Sequence, residues 1–116
     1  MIGFEKKGQV SLWAFLKEPA EDVDLMRELC GVDYYDLDDQ EGNFSEDGKL
    51  TPLRQLISPL SYANSFIDEA ERAAKDLRIT ESIGVMAQYD FAYDPTKITR
   101  QMAPDPIFLG SFPWHE

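Results

Sequence analysis

The sequence contains few of the residues on which most catalytic and metal sites are built. Its 116 residues include one cysteine, Cys30, and one histidine, His115. A lone cysteine excludes an internal disulfide and a cysteine-based zinc site, and a single histidine next to the last residue offers little for histidine-centred catalysis. The seven glycines are far apart, so the sequence has no Gly-rich phosphate loop. We therefore predict that the protein is not an enzyme and has no cofactor and no metal ion; a small enzyme with a carboxylate site is the weakest hypothesis.

Long apolar runs are also missing. The longest ones span only a few residues, too few to cross a membrane, and the first seven residues lack the apolar stretch of a secretory signal. Apolar residues nevertheless make up 43% of the chain, which favours a folded domain over a disordered one. We expect a single domain over residues 1–116, located in the cytoplasm and not bound to a membrane.

Basic residues are scarce in one segment, and that segment carries the whole net charge. The chain has 22 acidic and 11 basic side chains, for a net charge of -11. Residues 18–47 hold twelve of the acids and a single base, Arg27, so the remaining residues balance to zero. A field of this sign repels nucleic acid and attracts a basic protein or a cation. The alternative is a solvated face that only keeps the protein soluble.

Hydrophobic periodicity predicts an α+β fold. We expect a mostly antiparallel sheet with two main helices packed on one face. Strands are predicted at 9–16, 32–35, 82–93 and 107–112, and helices at 20–30, from residue 52, and at 65–78. The strict alternation over 82–93 predicts one buried and one wetter face, with Tyr89, Phe91 and Tyr93 together on the buried one and the aspartates directed to solvent or ending the strand.

The same periodicity predicts the core and the ends of the helices. The predicted core residues are Leu12, Leu16, Phe66, Ala70, Leu77, Val85, Phe91 and Leu109, with Cys30 as a small buried residue of the first helix. Ser65 and Asp68 have the spacing of a capping box. Asp68 with Arg72 and Glu71 with Lys75 are expected to form ion pairs along the helix.

The acidic region around residues 36–47 invites comparison with a calcium-binding EF-hand loop. A loop that starts at Asp36 places Asp38 at position 3 and Asp47 at position 12. Position 6, where the sharp turn needs glycine, is Glu41. The failed register argues against a dedicated calcium loop and leaves an acidic metal-binding (calcium) or regulatory module as the alternative function.

The residues expected to contact a partner lie in and beside this region. Tyr34 and Tyr35 border the exposed charge, and aromatic side chains in such places are favoured anchors at protein interfaces. The predicted contact residues are Asp33, Tyr34, Tyr35, Asp36, Asp38, Asp39 and Glu41.

Five short motifs occur in an order that resembles a known family. They are Val10-Ser11-Leu12-Trp13, Tyr35-Asp36, Ser65-Phe66, Tyr89-Asp90-Phe91-Ala92-Tyr93-Asp94 and Phe108-Leu109-Gly110-Ser111-Phe112. Together, from about residue 9 to 113, they resemble the immunity protein 22 family of bacterial polymorphic-toxin systems. One departure is that Ala14-Phe15 follows Trp13, where the family pattern has a glycine.

The resemblance implies a small cytoplasmic protein that binds and neutralises a cognate toxin made by a neighbouring gene. It identifies no contact residues, because the motifs have the character of fold determinants. If the toxin is a nuclease, its substrate groove is basic, and an acidic inhibitor can occupy or border that groove.

Overall fold

The computed structural model describes residues 4–99 and 103–116. The strands are β1 (Glu5–Phe15), β2 (Gln40–Phe44), β3 (Thr51–Pro52), β4 (Glu81–Ser82), β5 (Gly84–Phe91) and β6 (Ile107–Pro113). The helices are α1 (Leu53–Ile57) and α2 (Ile67–Asp76), and single helical turns form at Leu25–Leu29, Leu37–Asp39, Ala63–Ser65 and Pro95–Lys97. The predicted α+β class is confirmed. No helix within the described ranges is long and apolar enough to cross a membrane.

A four-stranded antiparallel sheet in the order β2-β5-β1-β6 forms the centre of the protein, and β3 and β4 pair separately. The strand predicted at 9–16 is β1, and it lies in the interior of the sheet as its apolar composition indicates. The strand predicted at 107–112 is β6, at one edge. β2 is at the other edge.

Each face of the sheet is covered by its own hydrophobic cluster. On one face, Val10 and Val85 pack with α1 and α2, so both helices lie on one side as predicted. On the other face, Trp13 and Met86 pack with Met26 from an irregular segment. We call these the helix-side cluster and the loop-side cluster. The prediction that β5 has one wetter face is therefore wrong, because the irregular segment covers that face.

The prediction of a helix at 20–30 is also wrong. Only one π-helical turn forms, at Leu25–Leu29. Asp22 has a left-handed backbone (φ 63), and Asp24 is extended, with its side chain accepting the Arg27 N–H. A helix cannot pass through these backbone angles, so the helical turn begins only at Leu25. The chain then leaves the helical conformation at Gly31, which has a φ of 75.

The acidic region contains a strand where a loop was predicted. No strand forms at 32–35; instead β2 spans Gln40–Phe44 and pairs in continuous register with β5. Glycine, asparagine and glutamate have low strand propensity, so pairing with β5, rather than local preference, forms this strand. The EF-hand comparison fails here too, because residues 40–44 lie in a sheet.

Most of the predicted core is confirmed, and two of its residues are wrong. Leu12, Phe66, Ala70, Val85, Phe91 and Leu109 are buried, as is Cys30. Leu16 is 47% exposed and Leu77 is 50% exposed. Leu16 lies just beyond the end of β1 and Leu77 just beyond the end of α2, so neither follows the burial pattern of the element before it.

The start of α2 differs from the predicted capping box. Phe66 occupies the N-cap position, without a side-chain cap. The Ser65 hydroxyl donates instead to the Tyr62 carbonyl at 2.7 Å, so it does not reach the amide three residues ahead.

The acidic residues of α2 pair with α1. Arg54 of α1 contacts both Asp68 and Glu71 at 3.0 Å, in place of the predicted pairs within α2. These groups are exposed or half-buried, so solvent screens both pairs and they contribute little to stability.

A bulge divides the three aromatic residues near the end of β5 between the two faces. Tyr89 belongs to the helix-side cluster, whereas Phe91 and Tyr93 belong to the loop-side cluster. Asp90 has a φ of 54, and its carboxylate accepts the Gly8 N–H at 2.9 Å where the β1–β5 register shifts. The prediction of a single aromatic face is wrong because the bulge reverses the alternation.

Candidate partner-binding surface

The chain that leads into β2 carries exposed acidic and apolar side chains side by side. We call this region the acidic surface: Asp33, Tyr34, Asp36, Leu37, Asp38 and Asp39. Tyr34 is 55% exposed and Leu37 is 66% exposed. Large apolar side chains exposed among charged ones are typical of protein contact sites. Leu37 was not among the predicted contact residues. The pattern that could have indicated it is a single leucine between aspartates in a polar segment.

The acidic surface is held against the sheet by defined contacts. Val32, just before it, is buried in the loop-side cluster. Buried Gln88 of β5 donates through Nε2 to the Asp36 carbonyl at 2.7 Å. The Asp36 carboxylate accepts the Asp38 N–H at 3.0 Å and starts the turn Leu37–Asp39. These bonds hold the segment against β5 and order its turn.

The carboxylates of the acidic surface repel one another. Partial burial raises the pKa of Asp39, and the nearby charges of Asp36, Asp90 and Asp38 raise it further. Such mutual repulsion is relieved when a positive charge lies nearby.

Two lysines offset this charge at one side. An open cleft of about 360 Å³ is lined by Lys6 and Lys7 of β1 as well as by Asp36 and Asp39. The cleft therefore has mixed charge. Asp33 and Asp38 do not line it.

Tyr35, a predicted contact residue, is turned inward. Its hydroxyl donates to Asp24 Oδ1 at 2.7 Å, and burial, followed by the bond to Asp24, raises the pKa of Tyr35 to about 12. Partial burial favours a higher pKa for Asp24, but the hydrogen bonds from the Arg27 amide and the Tyr35 hydroxyl outweigh this effect. The pKa of Asp24 is therefore lower than its usual value. Tyr35 thus fastens the acidic surface to the turn Leu25–Leu29.

Glu41, the other predicted contact residue beyond the acidic surface, binds the helix side of the protein. Its carboxylate accepts the Ser61 N–H at 2.8 Å, the Ser61 hydroxyl at 2.5 Å and the Tyr89 hydroxyl at 3.1 Å. Burial raises the pKa of Glu41, but these donors outweigh it and leave the pKa below its usual value. Glu41 therefore connects β2 to the loop after α1.

Replacing Glu41 with Gln is expected to reduce the free energy of unfolding at pH 7 by about 1–2 kcal/mol, because it weakens charge-assisted hydrogen bonds. The pKa of Glu41 is lower in the folded than in the unfolded chain. Its contribution is therefore present above the unfolded pKa and is lost as pH falls through the folded pKa. Urea denaturation from pH 7 down to about pH 3 should show the difference from the parent shrinking.

Glu46→Gln is the matched control, because it removes the same charge from an exposed side chain of the same segment. We expect it to change stability by less than about 0.5 kcal/mol. A loss for Glu41→Gln that stays constant across this pH range would contradict the role given to the carboxylate.

The lone cysteine and the lone histidine are not part of the acidic surface. Burial raises the pKa of the Cys30 thiol to about 12, so it is protonated and unreactive at neutral pH. His115 is exposed, and its backbone N–H donates to Ser65 Oγ. Within residues 4–99 and 103–116, no three His, Cys, Asp or Glu side chains are grouped so that they could hold a metal ion.

No protein-family model, curated protein or solved structure matches this chain. The fold and the surface define its class by themselves: a small α+β protein that presents ordered acidic and apolar side chains from one segment of its chain.

Proposed function

We propose that this chain is an immunity protein, which binds a cognate bacterial toxin in the cytoplasm and neutralises it by direct contact. The observation that carries the proposal is the acidic surface, where exposed Tyr34 and Leu37 stand among carboxylates in the segment that holds the whole net charge. The motif resemblance to the immunity protein 22 family supplies the kind of partner.

The two chemical components of the surface have different effects on binding. Tyr34 and Leu37 are the anchors, because a side chain that becomes buried in a partner mainly slows dissociation. Asp33 and Asp38 form the charged border, which mainly accelerates association with a basic partner. Tyr35 and Glu41 contribute indirectly, by holding the segment in place.

The partner that fits this surface is a toxin with a basic face. A nuclease is the leading class, because its groove must bind phosphates and is therefore rich in Lys and Arg. The same charge repels nucleic acid, so nucleic acid is not proposed as a direct ligand of this chain. The chain itself is proposed to catalyse no reaction.

The triple replacement Asp36→Asn, Asp38→Asn and Asp39→Asn tests the proposal against the toxin encoded by the neighbouring gene. We expect the association rate constant at low salt to fall about tenfold and its salt dependence to flatten, with little change in dissociation. Asparagine at position 36 can still accept the Asp38 amide, so the turn is retained. Stopped-flow or surface plasmon resonance measurements at several salt concentrations give both rate constants.

The matched control is Glu69→Gln, Asp76→Asn and Glu81→Gln, which changes the net charge equally at exposed positions outside the acidic surface. It is expected to bind almost as fast as the parent. Parent-like association of the acidic-surface variant would reduce that surface to a solubility device. If the neighbouring gene product does not bind the parent chain, the proposed function is wrong.

A further inference from the structure

β2 is an edge strand whose outer side has no neighbour in the sheet. The Ser45 N–H donates to the Ile83 carbonyl at 2.8 Å and continues the β2–β5 ladder. Because ladder bonds alternate along an antiparallel strand, the backbone groups of Gly42 and Phe44 face away from β5. The outer edge therefore presents N–H and C=O groups that a further strand could pair with.

This edge lacks several of the devices with which proteins usually protect edge strands. β2 contains no lysine, no proline and no bulge. Gly42 is exposed and has no side chain to hold off another backbone. Among the described residues, no hydrogen bond joins the outward backbone groups of Gly42 or Phe44 to another part of the chain.

The charge around β2 selects what can pair with it. Asp38 and Asp39 precede the strand, and Glu46 and Asp47 follow it. A second copy of this chain would bring another -11 charge to the same place, so self-pairing is disfavoured. A basic strand is attracted.

A cavity at the end of β2 fits a long basic side chain. It has a volume of about 420 Å³ and is lined by apolar Phe44 and Ile83 together with Glu18, Glu46 and Asp47. The methylene stem of a lysine or arginine can pack on the apolar wall while its charged end reaches the carboxylates.

We infer that the outer edge of β2 pairs with an extended basic segment of the toxin, which adds a fifth strand to the sheet and places a Lys or Arg side chain in the cavity beside Phe44. The identity of the partner rests on the proposed function, whereas the pairing rests on the edge and the cavity. Main-chain hydrogen bonds would supply affinity, and the cavity would supply specificity.

A synthetic peptide tests the pairing without the toxin. The probe is a heptapeptide of alternating valine and lysine at millimolar concentration. Its controls are the same peptide with alternate backbone nitrogens methylated and a valine–glutamate peptide. With the valine–lysine peptide, we expect the NMR signals of the Gly42 and Phe44 amides to shift and these amides to exchange with solvent about tenfold more slowly. Neither control peptide should have these effects. If the lysine peptide leaves these two amides unchanged, the inference is overturned. It is also overturned if the free chain forms a dimer in which these amides are protected.

Two substitutions at Gly42 test the pairing in the toxin complex. Gly42→Pro removes the outward N–H and leaves the bonds to β5 intact, since Gly42 bonds nothing on that side. Gly42→Ala keeps the N–H, and the added Cβ meets neighbours only at ordinary contact distances, the nearest at 3.5 Å. We expect toxin affinity to fall about tenfold or more for Gly42→Pro and to stay within about twofold for Gly42→Ala.

Thermal unfolding of both variants shows whether the fold is retained. If Gly42→Pro does not fold, protection of the Gly42 and Phe44 amides in the parent complex decides the question. A folded Gly42→Pro variant that binds toxin like the parent overturns the strand pairing and leaves the proposed function standing. A parent chain that binds the lysine peptide but not the toxin supports the pairing edge and overturns the proposed function.

Discussion

Replacing Phe66 with alanine is expected to reduce the free energy of unfolding by about 3–5 kcal/mol. Phe66 is 1% exposed and lies at the start of α2 in the helix-side cluster. Its ring makes an edge contact with Tyr89 at a centroid distance of 6.3 Å. Because the sheet beneath it is held by backbone hydrogen bonds, the cavity left by the ring can collapse only in part.

Leu77→Ala is the matched control at the other end of the same helix. Leu77 was predicted to be in the core but is half exposed, so its replacement is expected to cost less than about 1 kcal/mol. Urea denaturation followed by circular dichroism measures both variants under the same conditions. Equal losses at the two positions would show that the assigned buried face of α2 is wrong.

Gly84→Val is expected to be the next most damaging change, at about 3 kcal/mol. A Cβ at Gly84 would overlap the ring of Phe44 in the neighbouring strand. That ring packs on Phe15 at a centroid distance of 5.0 Å, so it cannot move aside freely. Glycine at this position is required by the close approach of the Phe44 ring.

Gly42→Val makes the same substitution in β2, where the added Cβ meets only ordinary contacts. We expect its thermal midpoint to stay close to that of the parent. The double variant Gly84→Val with Phe44→Ala should recover part of the stability lost by Gly84→Val, because the overlapping ring is gone. Strictly additive losses in this pair would exclude the overlap as the cause.

The elements that periodicity predicted are those that bury one continuous set of side chains. The strands β1, β5 and β6 and the helix α2 all formed close to their predicted positions. The helix at 20–30 did not form; the single π-helical turn at Leu25–Leu29 is enough to bury Met26 and Cys30. β2 was not predictable from its own residues, since its partners in β5 lie forty or more residues further along the chain.

The candidate surface was predictable in position and only partly in detail. The charge count pointed to the segment before β2, where Tyr34 and most of the aspartates are exposed; whether a partner binds there stays a prediction. The inward orientation of Tyr35 and Glu41 was not predictable. Their partners lie 11 residues away for Tyr35, and 20 and 48 residues away for Glu41, and no local pattern records such contacts.

The separate clusters on the two faces of the sheet give the protein two built-in fluorescent reporters. Trp13 is buried in the loop-side cluster against Tyr93 and Phe108. Trp114 packs on the helix-side cluster and stacks on Tyr62 at a centroid distance of 4.8 Å. Because the chain has only these two tryptophans, a variant with either one replaced by phenylalanine emits from a single layer. The order in which the two layers loosen during denaturation can therefore be observed without attaching any label.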